Sequence, residues 1–182
     1  MGHKVVSVEP FYDNFIRIHK ASYLANTYNN IILITNAISN KRNEIKLLEK
    51  SSDNIGGQSL IQNKEKNFEK DDNNKYLVET ILFDDIVPYL PAARGQDALL
   101  KIDIEGFEIF AFENANRLFD HLNIRVVFME WFNLARNIGE LKKVLELIEF
   151  FYRRDYKPYG EDRLLNRNEW KNWTYDIVWK KN

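Results

Sequence analysis

The sequence predicts an α/β domain built on a doubly wound sheet, and three observations carry that prediction. Short apolar or β-branched runs alternate along the chain with segments of helical periodicity. One run, Ile31-Ile-Leu-Ile34, is apolar at every position, the pattern of a strand covered on both faces. The strand-like runs end in polar or charged residues, and open α/β sheets bind ligands beyond the carboxyl ends of their strands.

Taken in order, Val5-Val-Ser-Val8 is a β-rich run that stops at Glu9-Pro10, because proline cannot continue a central ladder. Residues 11–26 read as a helix, with Phe15, Ile18 and Ser22 on one face and Asp13 in the first turn. Asn29-Asn30 is a turn, residues 31–34 the next strand, and the alternation over 44–48 a further one. Asn, Lys, Asp, Ser and Glu dominate residues 49–75 around Gly56-Gly57, which predicts a long polar loop. Residues 76–80 form a short strand, and residues 82–90 a short helical turn closed by Pro88 and Pro91.

Residues 98–103 are a strand, and 105–119 a helix with Phe107, Phe110, Ala111, Ala115, Leu118 and Phe119 inward. Residues 124–129 are the next strand. The amphipathic pattern is clearest over 137–153, where Ile138, Leu141, Val144, Leu145, Ile148 and Phe151 make one stripe. Residues 175–179 close the chain as a strand, and no internal repeat is visible. Parallel neighbours in such a sheet need right-handed crossovers.

The chain of 182 residues suits one domain with a sizeable core. Lys plus Arg total 26 against 27 Asp plus Glu, a net charge of −1 that gives no general electrostatic case for binding nucleic acid or anionic membrane. The absence of cysteine excludes disulfides, thiolate metal sites and cysteine nucleophiles, and assigns no compartment. No apolar run approaches the roughly 20 residues that span a bilayer. Met1-Gly-His-Lys4 does not read as a signal peptide, since the fourth residue already opens the first strand-like run.

The strand ends supply the candidate residues: Glu9 from the first, Asn36 from the second, Lys101 and Asp103 from the third, Glu130 from the fourth. Glu105 opens the helix after the third. An acidic residue ending the second strand of a nucleotide-binding sheet accepts hydrogen bonds from ribose hydroxyls; a solvated strand-end carboxylate is the plainer account of Glu9. Asp103 and Glu105 flank Ile104 just before Gly106. Helix capping explains such a pair, and so does a pair of carboxylates beside a cationic ligand, with Gly106 allowing close backbone approach. His3 and His121 fall at the amino edge of strands and His19 inside a helix. No histidine is therefore expected in catalysis, and no metal-ligand spacing is present.

Leu100-Lys-Ile-Asp-Ile-Glu-Gly-Phe-Glu108 resembles the signature segment of the FkbM-like methyltransferases. Val5-Val-Ser-Val-Glu-Pro10, Asn36-Ala-Ile-Ser39 and Leu82-Phe-Asp-Asp85 fit the same family in the same order. Gly56-Gly-Gln-Ser-Leu60 is similar to a glycine-containing loop of many members, and Met129-Glu-Trp131 to the end of the next strand. The likeness runs over residues 4–133. It implies a Rossmann-like sheet with helices on both faces that binds S-adenosylmethionine and transfers methyl, usually to a hydroxyl on a small molecule, sugar or lipid. On the same resemblance Glu9 takes the ribose hydroxyls, Asn36 and Ala37 lie by the adenine, and Asp103 borders the methionine end. Asp103 and Glu130, with Glu105 third, are then the candidate bases, and Lys101 lines the substrate side.

The resemblance also implies a first strand ending in a glycine-rich turn, which would precede Val5 and lie between the 5–8 and 99–103 strands. Without it the chain is expected to bind S-adenosylmethionine poorly or not at all. A truncated product, an alternative start, an incomplete gene model and a degenerate homologue all fit that expectation. Two further readings stand beside it. A nicotinamide-dependent dehydrogenase would use Glu9 equally well, but a final antiparallel strand over 175–179 fits a methyltransferase better. A non-catalytic interaction module would present the polar loop, or Trp170 and Trp173; core packing is the plainer reading of those tryptophans.

Overall fold

The computed structural model describes residues 2–49, 56–61, 68–71 and 73–181. They form a mixed α/β arrangement in two compact units, residues 1–90 and 91–182.

In the first unit β1 (Val5–Val8) and β2 (Ile31–Ile34) pair in parallel, with Val5 opposite Ile31 and Val8 opposite Ile34. Helix α1 (Tyr12–Leu24) connects them. Pro10 stops the strand, and the Glu9 carboxylate accepts the Phe11 N–H at 2.8 Å, so the chain turns directly into the helix. On the inward face Phe15 and Ile18 are half-buried and Ser22 is buried, its hydroxyl donating to the His19 carbonyl. The all-apolar run at 31–34 is not covered on both faces as expected: Ile32 is 40% exposed and Val5 47%. Among the described residues this sheet has only two strands; the faces of a strand are covered by layers packed on the sheet, and α1 packs on β2.

A second sheet in this unit has the order β3-β5-β4, from β3 (Ala37–Ile38), β4 (Ile45–Leu47) and β5 (Leu77–Ile81). β5 runs parallel to β3 and antiparallel to β4. Part of the expected polar loop is extended chain: Glu49 N–H donates to the Ser59 carbonyl, Ile61 N–H to that of Leu47, and Leu48 bridges Leu60. Residues 50–55, 62–67 and 72 of that loop lie outside the described residues. The turn after β5 is a 3₁₀ helix, Phe83–Tyr89, which contains Pro88 rather than ending at it.

The second unit is a five-stranded sheet of order β6-β7-β10-β8-β9. Its strands are β6 (Gln96–Ile102), β7 (Leu122–Glu130), β8 (Tyr156–Gly160), β9 (Arg163–Leu164) and β10 (Asp176–Lys181). β6 and β7 are parallel, and β10 lies antiparallel between β7 and β8. The final strand is therefore antiparallel, as the sequence led us to expect.

The helix expected over 105–119 is three pieces: α2 (Glu108–Ala111), a 3₁₀ turn (Phe112–Asn114) and α3 (Asn116–His121). Glu105 and Gly106 have φ of 55° and 93°, which delays the start. Ala115, at φ −116° and ψ 6°, separates the last two pieces. A short helix that the sequence did not reveal, α4 (Phe132–Arg136), follows β7. Helix α5 (Leu141–Tyr152) begins after residue 137 and buries Val144, Leu147, Ile148 and Phe151. Leu141 and Leu145 are exposed and Leu147 replaces them, so the stripe is rotated from the one expected. The side chain of Ile138 lies outside the described residues.

The core here is aromatic. Phe151 stacks on Trp179 at 4.4 Å and 10°, Trp131 meets Trp173 at 4.8 Å, and the Tyr156 hydroxyl donates to the Ile124 carbonyl. Trp170 and Trp173 are buried and so pack in the core rather than forming an outer surface. On the open face of β6 and β7, Leu99 is 71% exposed and Phe128 44%. Among the described residues no helix is long and apolar enough to cross a membrane.

Phe151 is fully buried against Trp179, Phe112, Phe119 and Tyr156. Phe151→Ala is expected to cost the second unit about 3–5 kcal/mol, the range for truncating a buried aromatic. All four tryptophans lie in that unit, so urea unfolding followed by their fluorescence measures the loss. A change below ~1 kcal/mol would contradict the packing described.

Candidate functional site

The site residues of the second unit are delivered by the register of two strands. Ile102 pairs with Met129, so the next residues along, Asp103 and Glu130, leave the sheet side by side. The chain after Asp103 then turns through Glu105 and Gly106, both at positive φ. Gly106 suits that conformation. A Cβ built there would also sit 3.4 Å from the Cβ of Asn133, so the turn is pressed against α4. Glu105 has no such freedom, and a non-glycine residue in the left-handed region persists only where its surroundings hold it.

The result is a compact acidic cluster. Asp103, Glu105 and Glu130 each offer a carboxylate oxygen, and these atoms lie within 4.8 Å of one another. Asp103 is exposed, Glu105 half-buried and Glu130 buried. Two unit charges about 5 Å apart repel by roughly 3 kcal/mol at an effective dielectric near 20. Asn133 Nδ2 donates to Glu105 Oε2 at 3.1 Å and to Glu130 Oε2 at 3.2 Å. Such bonds to charged groups return about 1.5–3 kcal/mol each, enough to assemble the cluster but not to neutralise it. Lys101 reaches Asp103 Oδ2 at 3.1 Å from a largely exposed position, where screening leaves the pair little strength. The cluster therefore retains a preference for a cation, whether organic or a metal ion.

The ionisation of the site follows from these contacts. Burial pushes the Glu105 carboxyl up, the Glu130 and Asp103 charges add to that, and the Asn133 hydrogen bond opposes it. Tyr175 donates to Glu130, and that bond is the main reason its phenol is raised to about 12. The Tyr175 ring stacks on Phe132 at 4.8 Å, and its carbonyl accepts the Trp131 N–H at 2.7 Å. Glu108 is fully buried; Oε1 accepts the Ile104 N–H at 3.0 Å, and Oε2 has no hydrogen-bond partner. Burial raises this carboxyl from 4.5 to about 7.

Of the residues singled out from the sequence, Asp103, Glu105 and Glu130 come together, with Lys101 on Asp103. The others belong to the first unit. Glu9 ends β1 beside Ile34, whose carbonyl accepts the Glu9 N–H at 3.0 Å, and Asn36 follows β2, so both stand at one edge of that sheet. Burial raises the Glu9 carboxyl, opposed by hydrogen bonds from Phe11 N–H and the Asn14 side chain. Asn36 Nδ2 donates to the Glu79 carbonyl at 3.1 Å. Ala37 is 3% exposed, so its side chain offers a ligand almost no surface. His3 and His19 are exposed and removed from the acidic cluster in sequence, and His121 contacts the Pro91 carbonyl through Nε2.

Asn133, Tyr175 and Glu108 were not selected from the sequence. Asn133 stands three residues after Glu130 and Glu108 closes the signature segment, so each had a positional signal. Tyr175 had only its place before the last strand.

The raised Glu108 carboxyl has a consequence for stability. The folded chain holds this proton more tightly than the unfolded chain. Its contribution is therefore full below about 4.5, is lost as pH rises towards about 7, and is constant above that. Melting temperatures of Glu108→Gln and the parent measured from pH 4 to 8 should converge at the acid end, with the parent losing ground through this window. Curves that stay parallel would place the Glu108 proton elsewhere.

The comparisons with known proteins agree with the resemblance read from the sequence. No curated protein and no solved structure matches the chain. A family model, the methyltransferase FkbM domain, matches residues 1–158 and so runs through both compact units and the acidic cluster. The match covers most of the 182 residues, and the chain belongs to the FkbM methyltransferase domain family.

Proposed function

We propose that this chain is an S-adenosylmethionine-dependent methyltransferase that methylates a hydroxyl oxygen of a small molecule, sugar or lipid. The observation that carries the reading is the carboxylate cluster of Asp103, Glu105 and Glu130, in a chain of a methyltransferase family. S-adenosylmethionine, when bound, supplies an electrophilic methyl group on a sulfonium and also carries an ammonium, two cations suited to such a site. The donor set of this unit fits that chemistry.

In this reading Asp103 borders the methionine end of the cofactor, and the cluster's fixed negative charge acts without reorganisation at the moment of transfer. A carboxylate of the cluster takes the proton of the attacking hydroxyl. Glu130 and Asp103 are the candidates for that base and Glu105 the third. Asn133 and Tyr175 orient Glu130. Lys101 lies on the substrate side. Glu9 takes the ribose hydroxyls, and Asn36 and Ala37 the adenine, the latter through its backbone. Residues 1–182 then make up one methyltransferase domain with a Rossmann-like sheet. Among the described residues β1 is paired only with β2, and β6 only with β7. Each thus keeps one edge without a partner strand among the described residues.

The alternative reading is a non-catalytic interaction module on the same fold. A nicotinamide-dependent dehydrogenase draws no support, given the family match and the antiparallel β10.

Calorimetry of the chain with S-adenosylmethionine tests the reading: micromolar binding supports the methyltransferase and overturns the poor binding expected from the sequence, whereas a folded chain that gives no heat agrees with that expectation and with the interaction module alike. In an active member of the family, replacing the aspartate that matches Asp103 with Asn should lower turnover by at least about 100-fold, the scale for losing an electrostatic or basic group. Near-normal turnover would remove Asp103 from the mechanism.

A further inference from the structure

We infer that Glu108 is a positioning residue for the acidic site: its buried carboxylate ties down the backbone turn that carries Asp103 and Glu105. The inference rests on the methyltransferase reading for the ligand the site receives, while the turn itself stands on its own geometry.

Ile104 is the residue between the two site carboxylates, and its N–H donates to Glu108 Oε1 at 3.0 Å. The same residue's carbonyl accepts the Phe107 N–H at 3.2 Å. Ile104 is thus gripped at both backbone groups, and the residues that follow it take the unfavourable path. Glu105 stands at φ 55° and Gly106 at 93°. A turn of this kind does not hold itself; it relaxes unless the surroundings determine it. Asn133 holds the Glu105 carboxylate from α4. Glu108 holds the backbone from α2. Without it the Ile104 N–H loses its acceptor, and Glu105 is free to move towards the helical region, which would carry its carboxylate away from Glu130.

The choice of a carboxylate is the second part of the argument. Glu108 is fully buried, and its Oε2 is without a hydrogen-bond partner. An incompletely satisfied buried acid is a poor way to stabilise a core, and a well-packed apolar residue usually does as well or better. What an apolar residue cannot do is accept the Ile104 N–H. Glu108 also stands near enough to the Glu130 and Asp103 charges for them to raise its own carboxyl further. It therefore supports the site from beneath without being one of the groups in the cluster.

The test compares the parent chain with Glu108→Gln, which keeps an acceptor for Ile104, and Glu108→Ala, which does not. Hydrogen exchange over residues 103–107 should be parent-like in the glutamine variant. In the alanine variant it should be at least about tenfold faster, with β7 and α5 unchanged. For S-adenosylhomocysteine, calorimetry should give a Kd within about threefold of the parent for Glu108→Gln and at least about tenfold weaker for Glu108→Ala. Equal exchange in the two variants, or a change spread over the whole second unit, would overturn the positioning role. So would an unaltered Kd for the alanine variant of a parent that binds. If the parent does not bind the ligand, the proposal that this chain itself binds the cofactor fails, and the exchange comparison alone still decides the role of Glu108. Should Glu108→Ala not fold, Glu108→Met replaces it, keeping volume without an acceptor.

Discussion

Strand β7 is hydrogen-bonded along both edges, to β6 in parallel and to β10 antiparallel, and the second unit is arranged around that double pairing. A strand held on both sides cannot slip without turning every side chain to the opposite face. Its alternation therefore fixes Val127 and Met129 in the core, and Ile124, also buried, lies beyond an irregularity in the pairing with β6 at Ala98/Leu99. The same register brings Glu130 to the strand's end level with the residue after Ile102, which is Asp103. On the other edge Asp176 stands opposite Glu130, so Tyr175, just before β10, comes within hydrogen-bonding reach of it. The acidic site is a product of strand register before it is a product of any single residue.

Around that register the two kinds of packing have separate tasks. The aromatic core of Trp131, Phe151, Tyr156, Trp173 and Trp179 supplies burial on a scale of ~1.5–3 kcal/mol per large side chain. Trp131 directly follows Glu130, and its indole N–H donates to the Trp170 carbonyl at 2.8 Å. The end of β7 is thereby anchored next to the buried carboxylate. The polar groups do not add stability of that order. Asn133 and Tyr175 offset part of the cost of gathering like charges, and the remainder is a potential that favours a cation. In a chain of the FkbM methyltransferase family, that stored repulsion is an asset only when a positively charged ligand is present.

Much of this was legible in the sequence. Strands were visible because their runs are apolar and β-rich, α5 because its apolar residues recur at helical spacing, and Asp103, Glu105 and Glu130 because each stands at a strand end or a helix start. The errors were of boundary and face, and short elements such as β3 and α4 were not read at all. The periodicity over 105–119 is real, and most of the residues expected inward are buried, yet the backbone breaks at positions where no proline announces it. Leu145 and Leu147 are alike in composition, and only the packing of α5 decides that Leu147 goes inside. Ile31-Ile-Leu-Ile34 reads as a strand enclosed on both faces, but hydrophobicity states a preference for cover and not what supplies it.

By itself the sequence determined the mixed α/β class, the family, and three candidate carboxylates, two at strand ends and Glu105 just beyond the first of them. These follow from local pattern and from the signature segment at 100–108. Only the tertiary structure decided that the three carboxylates converge to within 4.8 Å, that Asn133 bridges two of them, and that Glu108 turns inward to hold the backbone beneath them. Those facts depend on the pairing register and on two left-handed residues. The register is enforced by contacts between segments far apart in the chain, and the left-handed turn needs the Asn133 contact from α4 in addition to Gly106 and Glu108 nearby.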